Sequence, residues 1–103
     1  MTLVADYLVV GAGAMGMAFA DVLAQESTAS VIMIDRQDRP GGHWNTAYPF
    51  VRLHQPSAFY GVNSLPLGQN RIETAGLNKG LYELATNSEV CRYYEQALAE
   101  QLM

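Results

Sequence analysis

Two continuous apolar runs lie near the start of the chain, one followed by a glycine and the other by an aspartate. Residues 7–10 read YLVV and stop at Gly11, and residues 31–34 read VIMI and stop at Asp35. Short apolar runs of this type are typical of parallel strands that are buried on both faces. They predict a strand–helix–strand unit over residues 5–35, which is long enough for a right-handed crossover between parallel strands.

The segment between the two runs has the hydrophobic spacing of a helix. Its apolar positions predict one buried face, formed by Met15, Ala18, Phe19, Val22 and Leu23. Asp21 and Gln25 are expected to point away from that face. Met15 and Met17 are expected to fill space in the core.

The rest of the chain divides into a loop region and a second helix. Residues 36–85 scatter Gly, Pro, Asn and aromatic residues without a long period, so we expect loops, short strands and a helical turn near residues 56–60. A helix over residues 86–102 is better defined, because Thr86 and Glu89 have the spacing of a capping box. Its apolar positions recur at helical spacing: Val90, Tyr94, Ala97 and Leu98.

These elements predict an α/β fold that is a partial Rossmann-like, three-layer fold. It has an N-terminal βαβ unit (residues 5–35), a loop region (36–85) and a C-terminal helix (86–102). A doubly wound sheet contains more parallel strands than the two found here. We therefore expect residues 1–103 to be the N-terminal part of a larger Rossmann-like domain, with the rest of the parent chain completing the sheet.

Composition narrows the class of protein. The 103 residues are 50% hydrophobic and 16% charged, which suits a single globular domain. The net charge is −4 and there is no basic run, so we expect no nucleic-acid partner. The uncharged stretch after residue 6 ends at Asp21, too early for a membrane span. With one cysteine, Cys91, no internal disulfide can form, and we expect a cytoplasmic protein.

Three glycines stand between the first strand and the first helix. The spacing Gly11-x-Gly13-x-x-Gly16 is the fingerprint of a dinucleotide-binding turn. Gly11 permits the tight turn, Gly13 lets a diphosphate approach the amides of the helix N-terminus, and Gly16 lets the helix pack closely on the strand. The predicted cofactor-binding loop comprises Gly11, Ala12, Gly13, Ala14, Met15 and Gly16.

An acidic residue follows at the distance that this type of site requires. Asp35 lies 19 residues after Gly16, and an acid about 20 residues on accepts hydrogen bonds from ribose hydroxyls. Because a 2′-phosphate would meet a like charge there, we expect an unphosphorylated adenosine, as in FAD or NAD. If the glycines served only the turn and the packing, and Asp35 only capped a strand, Gly13 would have no role.

The segment after Asp35 carries a further set of motifs. It contains Gly41-Gly42-His43-Trp44, then Tyr48-Pro49-Phe50-Val51-Arg52, then Leu53-His54-Gln55-Pro56. Together these motifs resemble the flavin-dependent monooxygenases of the Baeyer–Villiger and heteroatom-oxidising type. The resemblance covers residues 5–60 well and residues 86–102, with the pair Tyr93-Tyr94, more loosely.

This resemblance implies FAD as the cofactor. It places Gly42, His43 and Trp44 along FAD, and His54 with Gln55 at the flavin end. Arg36 would lie beside the adenine, on which a guanidinium can stack. In that family NAD(P)H reduces the flavin and O₂ then oxygenates the substrate, so NAD(P)H is the expected co-substrate of the full-length protein.

Two departures limit what the resemblance implies. Baeyer–Villiger enzymes commonly have an acid where this sequence has His54, so neither the substrate nor the type of oxidation carries over. The family's second glycine triplet, which binds NADPH, is absent from these 103 residues. No residue is therefore assigned as a catalytic acid, base or nucleophile.

Two alternative functions stay open. An NAD-dependent dehydrogenase would use the same glycine triplet but leaves Gly41-Gly42-His43-Trp44 without a role. A non-catalytic dinucleotide-binding module would keep the fold without redox turnover.

No metal site is expected, because His43, His54 and Cys91 lack ligand spacing. We expect Cys91, Tyr93 and Tyr94 to be packing residues and Arg52 to support its loop.

Overall fold

The computed structural model describes residues 3–48, 50–53 and 56–102. Its regular elements are the strands β1 (Tyr7–Val10) and β2 (Val31–Ile34) and the helices α1 (Ala14–Glu26) and α2 (Asn87–Ala97). A π-helical segment, Leu98–Leu102, continues α2, and two short 3-10 helices lie between β2 and α2, at Gly42–Thr46 and Ser57–Phe59. The βαβ unit, the helical turn near residue 57 and the C-terminal helix are therefore confirmed.

The two strands pair in parallel along their whole length. Tyr7 lies opposite Val31 and Val10 lies opposite Ile34. Because parallel strands end at the same edge of a sheet, this register places the residues that follow β1 beside those that follow β2. The Gly11 amide donates to the Ile34 carbonyl at 2.7 Å and so continues the pairing by one residue.

The buried face of α1 differs from the prediction. Met17, Ala20 and Asp21 are buried, whereas Met15 is 85% exposed and Phe19 and Val22 are also exposed. The prediction that Asp21 points away from the core is therefore wrong. The first ten residues of α1 are uncharged except for Asp21, so hydrophobic spacing could not single out one face.

Burial of the strands also differs from the prediction. Val9 is buried, but Leu8 and Val10, which point to the opposite face of the sheet, are 62% and 76% exposed. Ile32 and Ile34 are their partners on β2. Within the described residues the strands are thus covered on one face only, and the prediction of burial on both faces is wrong there.

The core lies between α1, α2 and the loop region. It contains Met17 of α1, Val90 and Tyr94 of α2, and Trp44, Leu53, Val62 and Leu67 of the loop region. Rings meet edge to face within it: Tyr60 lies 6.3 Å from Trp44 and 6.2 Å from Tyr94. The packing roles predicted for Met17, Tyr93, Tyr94 and the partly buried Cys91 are confirmed, and that for Met15 is wrong.

The described part of the loop region between β2 and α2 contains two isolated antiparallel bridges. Ile72 pairs with Tyr82, and Arg52 pairs with Thr86.

Across the described ranges, no helix is long and apolar enough to cross a membrane. The same ranges hold no group of three or more His, Cys, Asp or Glu side chains suited to a metal ion.

The capping box predicted at the start of α2 is confirmed. The Thr86 hydroxyl accepts a hydrogen bond from the Glu89 amide at 3.3 Å, and the Glu89 carboxylate accepts one from the Thr86 amide at 3.1 Å. These two bonds satisfy amides that the helix itself leaves without partners.

We predict that Thr86→Ala lowers the free energy of unfolding by about 1 kcal/mol, the usual cost of losing such a cap. Urea denaturation followed by circular dichroism measures the change. Thr74→Ala, at an exposed loop position, is the matched control and should leave the free energy of unfolding almost unchanged. Equal values for the two variants would contradict the prediction.

Candidate dinucleotide-binding site

A cavity opens at the edge of the sheet where β1 and β2 end. Its volume is about 710 Å³. Residues from both strand ends and from the first 3-10 helix line it: Val10, Gly11, Gly13, Ile34, Asp35, Arg36, Gln37, Gly42, His43 and Thr46. The parallel register therefore brings six of the predicted cofactor-binding residues to one cavity.

The first and third glycines shape the turn from β1 into α1. Gly11 has φ +105°, a backbone conformation that residues with side chains rarely adopt. A Cβ on Gly16 would overlap the carbonyl oxygen of Gly11. The absence of a side chain at Gly16 thus lets α1 pack directly on the end of β1.

Gly13 caps α1 and contacts a second glycine turn. It is the N-cap of the helix, and no side chain caps it there. The amides of the first helical turn have no partner within a helix, so they form a local positive end that favours an anion. A Cβ on Gly13 would lie 3.6 Å from the Cα of Gly42, and a Cβ on Gly42 would lie 3.1 Å from the Cα of Gly13.

The second glycine turn, Gly41–Gly42, is anchored to the first. The Gly41 amide donates to the Ala12 carbonyl at 2.8 Å. Both glycines have positive φ, +115° and +58°. The resemblance placed Gly42 along the cofactor, and the sequence did not predict this backbone contact between the two turns.

Asp35 lies where the two turns meet the sheet. Its carboxylate accepts hydrogen bonds from the Ala12 amide at 2.6 Å and from the Gln37 amide at 2.7 Å. The bond from the Ala12 amide has the largest effect, and both bonds lower the pKa of Asp35 below its ordinary value. The nearby Arg36 charge acts in the same direction. The side chain is therefore an anion at neutral pH, and its remaining lone pairs can accept further hydrogen bonds.

His43 and Trp44 occupy different surroundings. His43 is exposed and lines the cavity, whereas Trp44 is buried in the core and donates from its indole nitrogen to the Tyr60 hydroxyl at 3.0 Å. The two rings stack, with centroids 5.5 Å apart. Trp44 thus supports His43 from the side of the core.

The other predicted residues divide into three groups. Arg36 lines the cavity. Ala12, Ala14, Met15 and Gly16 belong to the turn and the start of α1 but are not among the lining residues. His54 and Gln55 lie outside the described residues. Four lining residues were not predicted: Val10, Ile34, Gln37 and Thr46. The first two could have been found as the last residues of their strands.

The fold and the cavity define a dinucleotide-binding, Rossmann-like α/β domain. The family described as "NAD(P)-binding Rossmann-like domain" matches residues 9–71. That range contains both glycine turns and Asp35. The chain therefore belongs to the NAD(P)-binding Rossmann-like domain family.

Related sequences extend well beyond this chain. Uncharacterized proteins from Mycobacterium tuberculosis and Mycobacterium bovis are each 63% identical to it over 102 residues, which is 99% of this chain and 19% of each relative. Ferredoxin–NADP reductase 2 from Sulfolobus acidocaldarius is 34% identical over 70 residues, 68% of this chain and 21% of that protein. The chain spans about a fifth of the length of the curated relatives it matches.

Solved structures share the fold. A flavin-containing monooxygenase from Stenotrophomonas maltophilia superposes with a TM-score of 0.71 at 23% identity, covering 94% of this chain and 26% of that one. A double mutant of the flavin monooxygenase from the same organism gives 0.72 at 22% identity, with the same coverage. At this identity the likeness establishes the fold, and it confirms the partial Rossmann-like architecture predicted from the sequence.

The hydrogen bonds to Asp35 predict a pH dependence of folding stability. Because the pKa of Asp35 is lower in the folded chain, its contribution to stability is fully present above the ordinary aspartate pKa of about 3.9 and is lost as the pH falls through the lowered value. We expect the difference in unfolding free energy between the wild type and Asp35→Asn to be constant above about pH 5 and to shrink towards pH 3. Urea denaturation at several pH values measures it, and a difference that grew on acidification would contradict this assignment.

Proposed function

We propose that this chain is the FAD-binding portion of a flavoprotein oxidoreductase, most like a flavin-dependent monooxygenase that uses NAD(P)H and O₂. The observation that carries the proposal is the cavity in which the two glycine turns and Asp35 come together. The small-molecule substrate is not assigned, and no described residue is assigned as a catalytic acid, base or nucleophile.

The residues around the cavity fit the adenosine diphosphate half of a dinucleotide. The uncapped amides of α1 suit a diphosphate, which carries negative charge. The ionised Asp35 suits the hydroxyls of an unphosphorylated ribose and repels a 2′-phosphate. Arg36 lines the same cavity and can stack on the adenine. A volume of about 710 Å³ lies in the usual range for small-molecule sites.

Two features favour FAD as the occupant. Gly42, His43 and Thr46 line the same cavity as Asp35, which suits a cofactor that extends beyond the adenosine diphosphate half. Two solved structures that share the fold are flavin monooxygenases, and one curated relative is a ferredoxin–NADP reductase. When bound, FAD would supply the electron transfer, while this chain would bind the cofactor and orient it. By the resemblance, His54 and Gln55 would contact its flavin end.

NAD is the alternative occupant, since the matching family is described as NAD(P)-binding. It would make the parent protein an NAD-dependent dehydrogenase. A non-catalytic dinucleotide-binding module would bind a dinucleotide without turnover. Binding measurements with FAD and NAD distinguish the flavoprotein oxidoreductase from the NAD-dependent dehydrogenase. NAD(P)H oxidation by the full-length protein distinguishes both enzymes from the non-catalytic module.

We further propose that the longer protein completes this two-stranded sheet and covers its exposed face. Leu8 and Val10 form an exposed apolar strip with Ile34 of β2, and the curated relatives are about five times longer than this chain. A cytoplasmic location is part of the same proposal.

The cofactor assignment is tested on the full-length protein, the complete product of its gene. We expect it to be yellow when purified, to show flavin absorbance, and to gain thermal stability with FAD but not with NAD. A colourless protein that NAD stabilises and FAD does not would overturn the FAD assignment in favour of the dehydrogenase.

The role of Gly13 is tested by Gly13→Ala in the same protein. The added methyl group makes only ordinary contact with Gly42, so folding should be retained. It would crowd a diphosphate at the helix N-terminus, and we expect FAD affinity to fall about tenfold, or about 1.4 kcal/mol. Ala24→Ser, at an exposed position of α1, is the control, and equal FAD affinity in both variants would rule out a diphosphate at Gly13.

A further inference from the structure

Asn45 spans the second glycine turn with its side-chain amide. The amide nitrogen donates to the Pro40 carbonyl at 3.0 Å and to the Gly42 carbonyl at 3.2 Å. Both hydrogens of the group are therefore used, one on each side of Gly41. The reverse orientation would set the amide oxygen against two carbonyl oxygens, so only the observed orientation supplies donors to the turn.

The amide oxygen of Asn45 has no corresponding partner. It is buried, and no donor among the described residues forms a hydrogen bond with it. A buried acceptor without a partner lowers stability. The two donated bonds therefore come with a cost, and because hydrogen bonds are directional their effect is to fix where the backbone of residues 40–42 lies.

The turn that Asn45 holds packs directly against the start of α1. The Gly41 amide donates to the Ala12 carbonyl at 2.8 Å. A Cβ on Gly42 would lie only 3.1 Å from the Cα of Gly13. A shift of the second glycine turn would therefore change the backbone contact at the N-cap of the helix.

The same turn forms part of the cavity wall. Gly42 and His43 line the cavity together with Gly13 and Asp35, whereas Asn45 is not among the lining residues. Asn45 can therefore act on a bound cofactor through the position of the turn, without touching the cofactor.

We propose that Asn45 is a positioning residue that fixes the second glycine turn against the diphosphate-binding N-terminus of α1. It acts through the backbone of residues 40–42. The inference rests on the proposed function, because it takes the cavity as the FAD site and the N-terminus of α1 as the diphosphate end of that site.

The experiment compares FAD affinity with folding stability in the full-length protein. Titration of the FAD-free protein, followed by flavin fluorescence, measures the affinity, and urea denaturation of the same preparation measures the stability. The variants are Asn45→Ala, Gly42→Ala, and the double variant that carries both changes.

Asn87→Ala is the matched control. The Asn87 amide also donates to two carbonyls, of Ala47 at 2.9 Å and of Tyr48 at 3.3 Å. None of these three residues lines the cavity. The control therefore removes a similar pair of bonds from a neighbouring segment that does not form the cavity wall.

We expect Asn45→Ala to weaken FAD binding about tenfold, because the turn is then free to move away from Gly13. Asn87→Ala should lower the free energy of unfolding to a similar degree but leave FAD affinity within about twofold of the wild type. The double variant should bind FAD better than the product of the two single losses requires, because Asn45→Ala and Gly42→Ala displace the same turn.

Three results would overturn the proposal. The first is unchanged FAD affinity in Asn45→Ala. The second is an equal loss of FAD affinity in Asn45→Ala and Asn87→Ala, which would reduce the effect to stability. The third is a double variant whose loss equals the product of the single losses, because Asn45 and Gly42 would then act separately.

A second substitution covers the case in which Asn45→Ala does not fold. Asn45→Leu keeps the volume of the side chain but has no donor, and it must show the same loss of FAD affinity. If neither variant folds, Asn45 is required for folding itself and the proposal is overturned. A folded wild type that does not bind FAD would overturn the proposed function instead.

Discussion

The parallel pairing of β1 with β2 is the constraint on which the site depends. Because both strands end at one edge, the turn after β1 and the acid after β2 become neighbours, although 23 residues separate Ala12 from Asp35. The bond between the Ala12 amide and the Asp35 carboxylate then joins them. Without this register the helix amides and the carboxylate would not face the same cavity.

The site also requires close contact between backbone segments, and glycine residues allow this contact at three positions. Gly11 allows the turn, Gly16 lets α1 pack onto the strand end, and Gly42 lets the 41–42 turn lie close to Gly13. The cavity wall on the His43 side therefore depends on the same loop contact that shapes the start of α1. Trp44 and Tyr60 extend this arrangement into the core.

Features that depend on a few neighbouring residues could be predicted from the sequence, and features that depend on distant contacts could not. The glycine spacing, the capping box of Thr86 and Glu89 and both strands follow from local chemistry, and the structure contains them. The prediction of the buried face of α1 was wrong because apolar residues lie on several faces of this helix. The face that is covered includes Asp21, whose carboxylate accepts a hydrogen bond from the Ser64 amide in a distant loop. Nothing in the sequence near Asp21 indicates that its partner lies 43 residues away.

The contact between Gly13 and Gly42 has a consequence for how the chain can vary. A methyl group on Gly42 would crowd the Cα of Gly13 at 3.1 Å, whereas a methyl group on Gly13 would lie at an ordinary contact distance of 3.6 Å from the Cα of Gly42. A side chain larger than a methyl group at either position would push the opposite turn away. Changes at the two sites should consequently combine non-additively, and the pair behaves as one unit in divergence or redesign.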